Sequence, residues 1–157
     1  TTGSSNTALG YLSLFSNTAS ANTAVGSEAA NANTTGVEVT AIGYQALRSN
    51  TTGNSNTAIG HGSLNGNTTG GQNTGIGVNS LASNTSGTQN TAIGYGSNSG
   101  NFSGSVILGR SATATASNQF VVGSAAVNAG ATGAATVAQS RYWDVVINGV
   151  AERILLA

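Results

Sequence analysis

Asn56-Thr57-Ala58-Ile59-Gly60-His61-Gly62-Ser63-Leu64, closed by Asn67-Thr68-Thr69-Gly70, is one turn of a pattern that recurs along the 157-residue chain. Its most regular element is an apolar residue followed by glycine: Leu9-Gly10, Val25-Gly26, Ile42-Gly43, Ile59-Gly60, Ile76-Gly77, Ile93-Gly94, Leu108-Gly109 and Val122-Gly123. The glycine-to-glycine steps are 16, 17, 17, 17, 17, 15 and 14 residues. A fixed period with small insertions and deletions marks a solenoid, in which each repeat is a coil stacked on the last. A coil this short has no room for a helix pair and suits short strands joined by tight turns. The expected fold is all-β, a parallel β-roll or β-solenoid of about eight coils of 14–17 residues. At about 4.8 Å per coil that is a rod about 40 Å long.

Aligned on the glycine, each position becomes a column down the rod. Leu9, Val25, Ile42, Ile59, Ile76, Ile93, Leu108 and Val122 read as a continuous buried apolar ladder. Three residues after the glycine stand Ser13, Ala29, Ala46, Ser63, Ser80, Ser97, Ala112 and Ala126. Nothing larger than serine occurs there, as a tightly packed interior corner requires. One step further, Leu14, Ala30, Leu47, Leu64 and Leu81 form a second, looser apolar column. The glycine itself answers to a turn of positive φ or to close backbone contact.

The turn repeats as Asn33-Thr34-Thr35-Gly36, Asn50-Thr51-Thr52-Gly53, Asn67-Thr68-Thr69-Gly70, Asn84-Thr85-Ser86-Gly87 and Asn101-Phe102-Ser103-Gly104. Asn and Gly reverse a chain readily, and stacked asparagines can hydrogen-bond along the stack. All five read as N-glycosylation sequons, which a repeat rich in Asn and Thr generates by accident. From Ser105 the coil shortens and gains bulk, in Ser105-Val106-Ile107-Leu108-Gly109 and Gln119-Phe120-Val121-Val122-Gly123.

Charged residues make up 5% of the chain and the net charge is zero. There is no electrostatic footprint for nucleic acid or an anionic membrane surface. Cysteine is absent, which excludes a disulfide framework and thiolate metal sites. No apolar run approaches the ~20 residues of a membrane span. Thr1-Thr2-Gly3 matches the tail of a further coil, so the chain is expected to be a piece of a longer protein.

Three regions are expected: a repeat shaft over 1–127, an Ala/Gly/Thr-rich transition over 128–140, and a small β tip over 141–157. Asn148-Gly149 between Val145-Val146-Ile147 and Val150-Ala151-Glu152 signals a hairpin with a tight turn. The apolar end Ile154-Leu155-Leu156-Ala157 would need burial between chains. Most coils supply only two sizeable apolar side chains, and thin cores call for oligomerisation.

The Asn-Thr-Ala-Ile-Gly-x-x-Ser-Leu unit, and the shorter Ser-Val-Ile-Leu-Gly-Arg-Ser-Ala-Thr-Ala form at 105–114, resemble the head repeats of trimeric autotransporter adhesins, also found in bacteriophage tail fibres. The resemblance covers roughly residues 6 to 127. It implies a left-handed parallel β-roll, three chains deep, with apolar columns facing inward. The coils here depart from it by three extra residues in the Asn-Thr-Thr-Gly turn. An autotransporter ends in an anchor of alternating, aromatic-rich strands, whereas the short hairpin end here looks like a phage fibre tip.

Candidate binding residues fall in two places. Arg141, Tyr142, Trp143 and Asp144 gather aromatic faces for sugar stacking beside charged groups for hydroxyls; a tryptophan at a chain junction equally serves as a packing anchor. Tyr11, Tyr44, His61 and Tyr95 stand just after the glycine. They read either as a glycan-binding stripe or as an outward column where anything is tolerated. One histidine without a placeable partner acid makes no triad, and neither enzyme activity, a metal nor a cofactor is expected.

The function expected on these grounds is the structural and receptor-binding part of a virion fibre. It would be extracellular, joined to upstream fibre or baseplate proteins, and attached to a bacterial surface glycan or protein receptor. The alternatives are a structural segment of a bacterial trimeric adhesin, or a free surface-binding solenoid such as an ice-binding protein. Ice binding needs a flat threonine array. Thr7, Thr23, Thr40, Thr57, Thr74 and Thr91 give one file, but the position two residues on is read here as the buried ladder.

Overall fold

The structure, a computed structural model, describes residues 3–123 and the strand backbone of Tyr142–Ile147 and Val150–Leu155. Eight three-residue strands, β1 (Thr7–Leu9), β2 (Thr23–Val25), β3 (Thr40–Ile42), β4 (Thr57–Ile59), β5 (Thr74–Ile76), β6 (Thr91–Ile93), β7 (Val106–Leu108) and β8 (Phe120–Val122), stack in sequence order into one parallel sheet. Each strand pairs with its counterpart one coil on, so like lies over like: Thr40 on Thr57, Ala41 on Ala58, Ile42 on Ile59. This is the β-solenoid expected from the period, and the described residues contain no helix.

A three-residue strand sends its middle side chain to one face and its outer two to the other. The interior receives Ala24, Ala41, Ala58, Gly75, Ala92 and Ile107. The ladder of Leu, Val and Ile, expected to be buried, instead lies on the outer face of the single chain, with Ile42 39%, Ile59 37% and Ile93 44% exposed. The reason is space. Behind the strand the interior is already filled by the small column and by Leu14, Leu47, Leu64 and Leu81, all buried. A Cβ placed on Gly75 would sit 2.7 Å from Ser63 Oγ and 3.4 Å from Leu64 Cγ, so even alanine would crowd this coil and larger side chains have no room.

The last coils show the exchange in reverse. Where Leu81 gives way to Asn98 and Thr113, the strand interior grows from Ala92 to the buried Ile107 and the partly buried Val121. Bulk moves from turn to strand while the interior stays filled.

Two files of asparagine run through the core. In the first, Asn33 Nδ2 donates to Asn17 Oδ1 (2.8 Å), Asn50 to Asn33 (2.7 Å), Asn67 to Asn50 (2.8 Å) and Asn84 to Asn67 (3.1 Å). Asn33, Asn50, Asn67 and Asn84 also donate to the carbonyls of Gly36, Gly53, Gly70 and Gly87, three residues on. In the second, the backbone N–H groups of Asn73 and Asn90 donate to the Oδ1 of Asn56 and Asn73, each at 3.0 Å. No buried side-chain polar atom among the described residues lacks a partner. The sequons at Asn33, Asn50, Asn67 and Asn84 are therefore enclosed, with their amide nitrogens engaged.

Asn101 leaves the file that its sequence position assigns it. It is exposed with φ 70°, and its Oδ1 accepts from the backbone of Thr85, Ser86 and Gly87. Ser99 takes the interior place and donates to Asn84 Oδ1 at 3.0 Å.

The turns are held in a conformation that side chains ordinarily avoid. Leu47 (φ 54°) and Leu64 (φ 52°) are left-handed, a state that disfavours L-residues by roughly 1–2 kcal/mol each. Their N–H groups donate to Ser63 O (2.9 Å) and Ser80 O (2.8 Å) of the following coil, and burial of the leucine side chains offsets the strain. At Gly60 (φ 127°) a Cβ would lie 2.6 Å from Gly77 O, so contact with the next coil and positive φ together demand glycine.

The chain divides into two compact units, Thr1–Ala125 and Ala126–Ala157. In the second, β9 (Tyr142–Ile147) pairs antiparallel with β10 (Val150–Leu155), Ile147 opposite Val150. The Asn148-Gly149 turn, the transition assigned to 128–140, and Ala126 of the small column lie outside the described residues.

Asn50→Ala removes two donors and one acceptor from a dry interior, at about 1–3 kcal/mol for each group left unsatisfied. It is expected to destabilise the solenoid by about 3 kcal/mol or more in thermal or denaturant unfolding; a loss below about 1 kcal/mol would contradict the ladder's role. Val39→Asn is the converse. Val39 interrupts the second file, so Asn56 N–H lacks the acceptor that Asn56 itself provides to Asn73. An asparagine there would supply it and reach Gly53 O, as Asn56 reaches Gly70 O. The expected gain of about 1 kcal/mol raises Tm by roughly 2–4 °C for a chain of this size; a fall in Tm would refute this geometry.

Candidate functional site

In β2–β6 the strand interior admits only small residues, so each of these coils pushes its larger strand side chains outward. The outer face of the sheet carries two parallel files, two residues apart along each strand. One is Thr7, Thr23, Thr40, Thr57, Thr74 and Thr91, continued by Val106 and Phe120; the other is Leu9 through Val122. Strand register holds both files straight from coil to coil. The second file that the sequence analysis found missing is thus present, made of branched apolar residues.

Past the glycine comes the variable column. Tyr11, Tyr44, His61 and Tyr95 are all exposed on the solenoid flank, as is Val78 between the last two. Tyr44 and His61 stack in adjacent coils, ring centroids 5.2 Å apart and 22° from parallel. Arg110 lies over Tyr95, its guanidinium carbon 5.7 Å from the ring centroid. The stripe continues the apolar file around the edge of the sheet, so the outer surface is a broad, nearly uncharged band. A contiguous apolar band of this kind marks an interaction site.

Arg110 is the charged member of this column; the ion pair among the described residues lies elsewhere. Arg48 Nε meets Glu28 Oε2 at 2.9 Å, and Gln45 Nε2 donates to the same oxygen at 3.0 Å. No cluster of three or more His, Cys, Asp or Glu occurs among the described residues. His61, in its stack with Tyr44, has no acidic neighbour within the described ion pairs.

Of the candidate binding residues expected at a tip, Tyr142, Trp143 and Asp144 fall on β9, opposite Leu155, Ile154 and Arg153 of β10. Their side chains, and Arg141, lie outside the described residues.

Comparison with protein-family models, curated proteins and solved structures finds no match to the chain.

One file escaped the sequence analysis. Five residues before the glycine stand Glu38, Ser55, Gln72 and Gln89, each left-handed (φ 58°, 54°, 60° and 59°) and on the flank before the strand. Its signal is a run of four polar residues, none of them Asn or Thr, in a column that holds Ser5 and Ala21 before it and Gly104 and Asn118 after it. It was legible once the columns were aligned, but nothing in the sequence said that these side chains share an open surface.

Proposed function

We propose that this chain is the structural and receptor-binding part of a virion fibre, a homotrimeric β-solenoid shaft that attaches the particle to a bacterial surface. The observation that carries this reading is the outward Leu/Val/Ile file. A single chain leaves eight coils of branched apolar side chains against water, and chains set side by side with these files facing a common axis would bury them. The threonines beside the file carry methyl groups as well as hydroxyls and can border such a seam. The resemblance to adhesin and tail-fibre head repeats supports the same arrangement. Attachment would be multivalent: several weak sites on each trimer, and several fibres on each particle, multiply into avidity. With charge so sparse, binding would change little with salt.

A second reading gains support from the same face. Outward Thr and Ile files on an in-register parallel sheet form a regular two-file array, the kind of surface that an ice-binding solenoid requires. The two readings compete for one surface, since a trimer that buries the Ile file cannot offer it to ice.

Light scattering on the purified chain is expected to give about 46 kDa, three times 15.3 kDa. The variant Ile42→Lys/Ile59→Lys/Ile93→Lys should fall to the single-chain mass and keep its β-sheet circular dichroism, because these side chains lie outside each chain's own core. A parent mass of 15.3 kDa would sink the fibre reading, and thermal hysteresis in that monomer would put the ice-binding reading in its place.

At the tip, Trp143→Ala is expected to lower adsorption to host cells while the assembled rod stays intact. Loss of assembly would instead assign Trp143 to packing between chains.

A further inference from the structure

Beside the strand face, the flank carries an open groove of about 640 Å³. It runs along the rod rather than into it. Its lining comes from successive coils: Glu38, Asn54, Gln72 and Gln89, with Thr69 and Thr88. The floor is fixed by backbone bonds from coil to coil. Ser55 N–H donates to Val37 O (2.9 Å), Gln72 N–H to Asn54 O (2.9 Å) and Gln89 N–H to Gly71 O (3.1 Å). Gly71 also lines the groove and leaves a gap between Asn54 and Thr88, the residues at its own position in the neighbouring coils.

The groove has hydrogen-bonding capacity to spare on long amide side chains, whereas the outer strand face offers only short threonine hydroxyls. In the interior and at the turns the repeat consumes its own polar groups. The buried asparagines bond one another, and the hydroxyls of Thr34, Thr51 and Thr68 donate to carbonyls of the next coil at 2.8, 3.0 and 3.0 Å. In the groove, the amides of Gln72 and Gln89 and the hydroxyl of Thr69 have no partner within the described protein, and both glutamines are exposed. Asn54 uses its Oδ1 to accept from Val37 N–H (2.9 Å), which leaves its amide nitrogen free. Donors and acceptors therefore recur once per coil, at about the 4.8 Å strand spacing.

We infer that this groove is a binding site for an uncharged, extended, hydroxyl-rich chain, a neutral linear glycan lying along the rod axis. The lining selects that chemistry. No basic residue faces the groove, and its one ionisable group is the carboxylate of Glu38, which accepts from Ser55 Oγ at 3.0 Å. Polyanions such as nucleic acid or acidic glycans would meet only repulsion there. Val37 is the single apolar side chain in the lining, too little to hold a lipid or an apolar peptide. Primary amides and hydroxyls donate and accept at once, as sugar hydroxyls do, and a regular spacing lets one chain of rings engage several coils in turn. The inference rests on the fibre reading only for the source of the glycan, the bacterial surface, and it supplies a lateral site distinct from the tip.

The test uses the full chain on an array of neutral and acidic oligosaccharides, followed by calorimetric titration with the best neutral binder. Neutral linear oligosaccharides are expected to bind, and Gln72→Ala/Gln89→Ala to weaken that binding at least tenfold with Tm unchanged, both side chains being exposed. Trp143→Ala should leave it unaltered. Binding retained in the double variant, preference for acidic oligosaccharides, or no binding at all would each overturn the inference. None of those results touches the fibre reading, which stands or falls on the mass of the assembly and on cell adsorption.

Discussion

Everything in this solenoid follows from the need of one buried amide to find its partner one coil away. An asparagine in a dry interior must satisfy two N–H groups and a carbonyl, and here it does so with the glycine carbonyl of its own turn and with the asparagines above and below. That arrangement closes only if every coil repeats the last with no lateral shift. The strands then fall into register, the small column meets the small column, and residues scattered every seventeen positions become straight files. Hydrogen bonding sets the lattice, and apolar packing fills what space it leaves.

What fills the interior is settled by volume. Leu47, Leu64 and Leu81 reach inward from left-handed turns and leave the strand room for alanine only. The strained turns, the alanine interior and the exposed isoleucine file are thus one fact seen from three sides. Ile107 tests the relation, because it enters the core in the coil where the turn carries Thr113 in place of a leucine, directly after the coil in which Asn98 has already replaced it.

The period, the parallel stacking, the glycine column and the small column were legible in the sequence because each is a steric demand repeated eight times. The outward placement of the Ile column was not. Periodicity identifies an apolar file but does not say which side of a three-residue strand it takes, and the larger residue went outward because the turn leucines had already occupied the inside. Asn101 misled for a different reason. Spacing alone placed it in the ladder, but in the shortened coil Ser99 reaches the interior first and Asn101 turns out to cap the preceding turn. The stripe Tyr11, Tyr44, His61 and Tyr95 is exposed, a placement that its two readings, glycan-binding stripe and tolerant outward column, share. The stacking of Tyr44 on His61 needed the coil-to-coil distance that only the fold supplies.

The first asparagine file also has a direction. In each step the donor belongs to the later coil and the acceptor to the earlier, and no single amide can turn over without aiming its oxygen at a glycine carbonyl. The file is therefore a polar filament whose two ends differ chemically, one presenting donors and the other acceptors. A coil can join such a filament in one orientation only. Lengthening or shortening the shaft by whole coils would leave every internal bond as it was, so rod length is free to vary while direction is not.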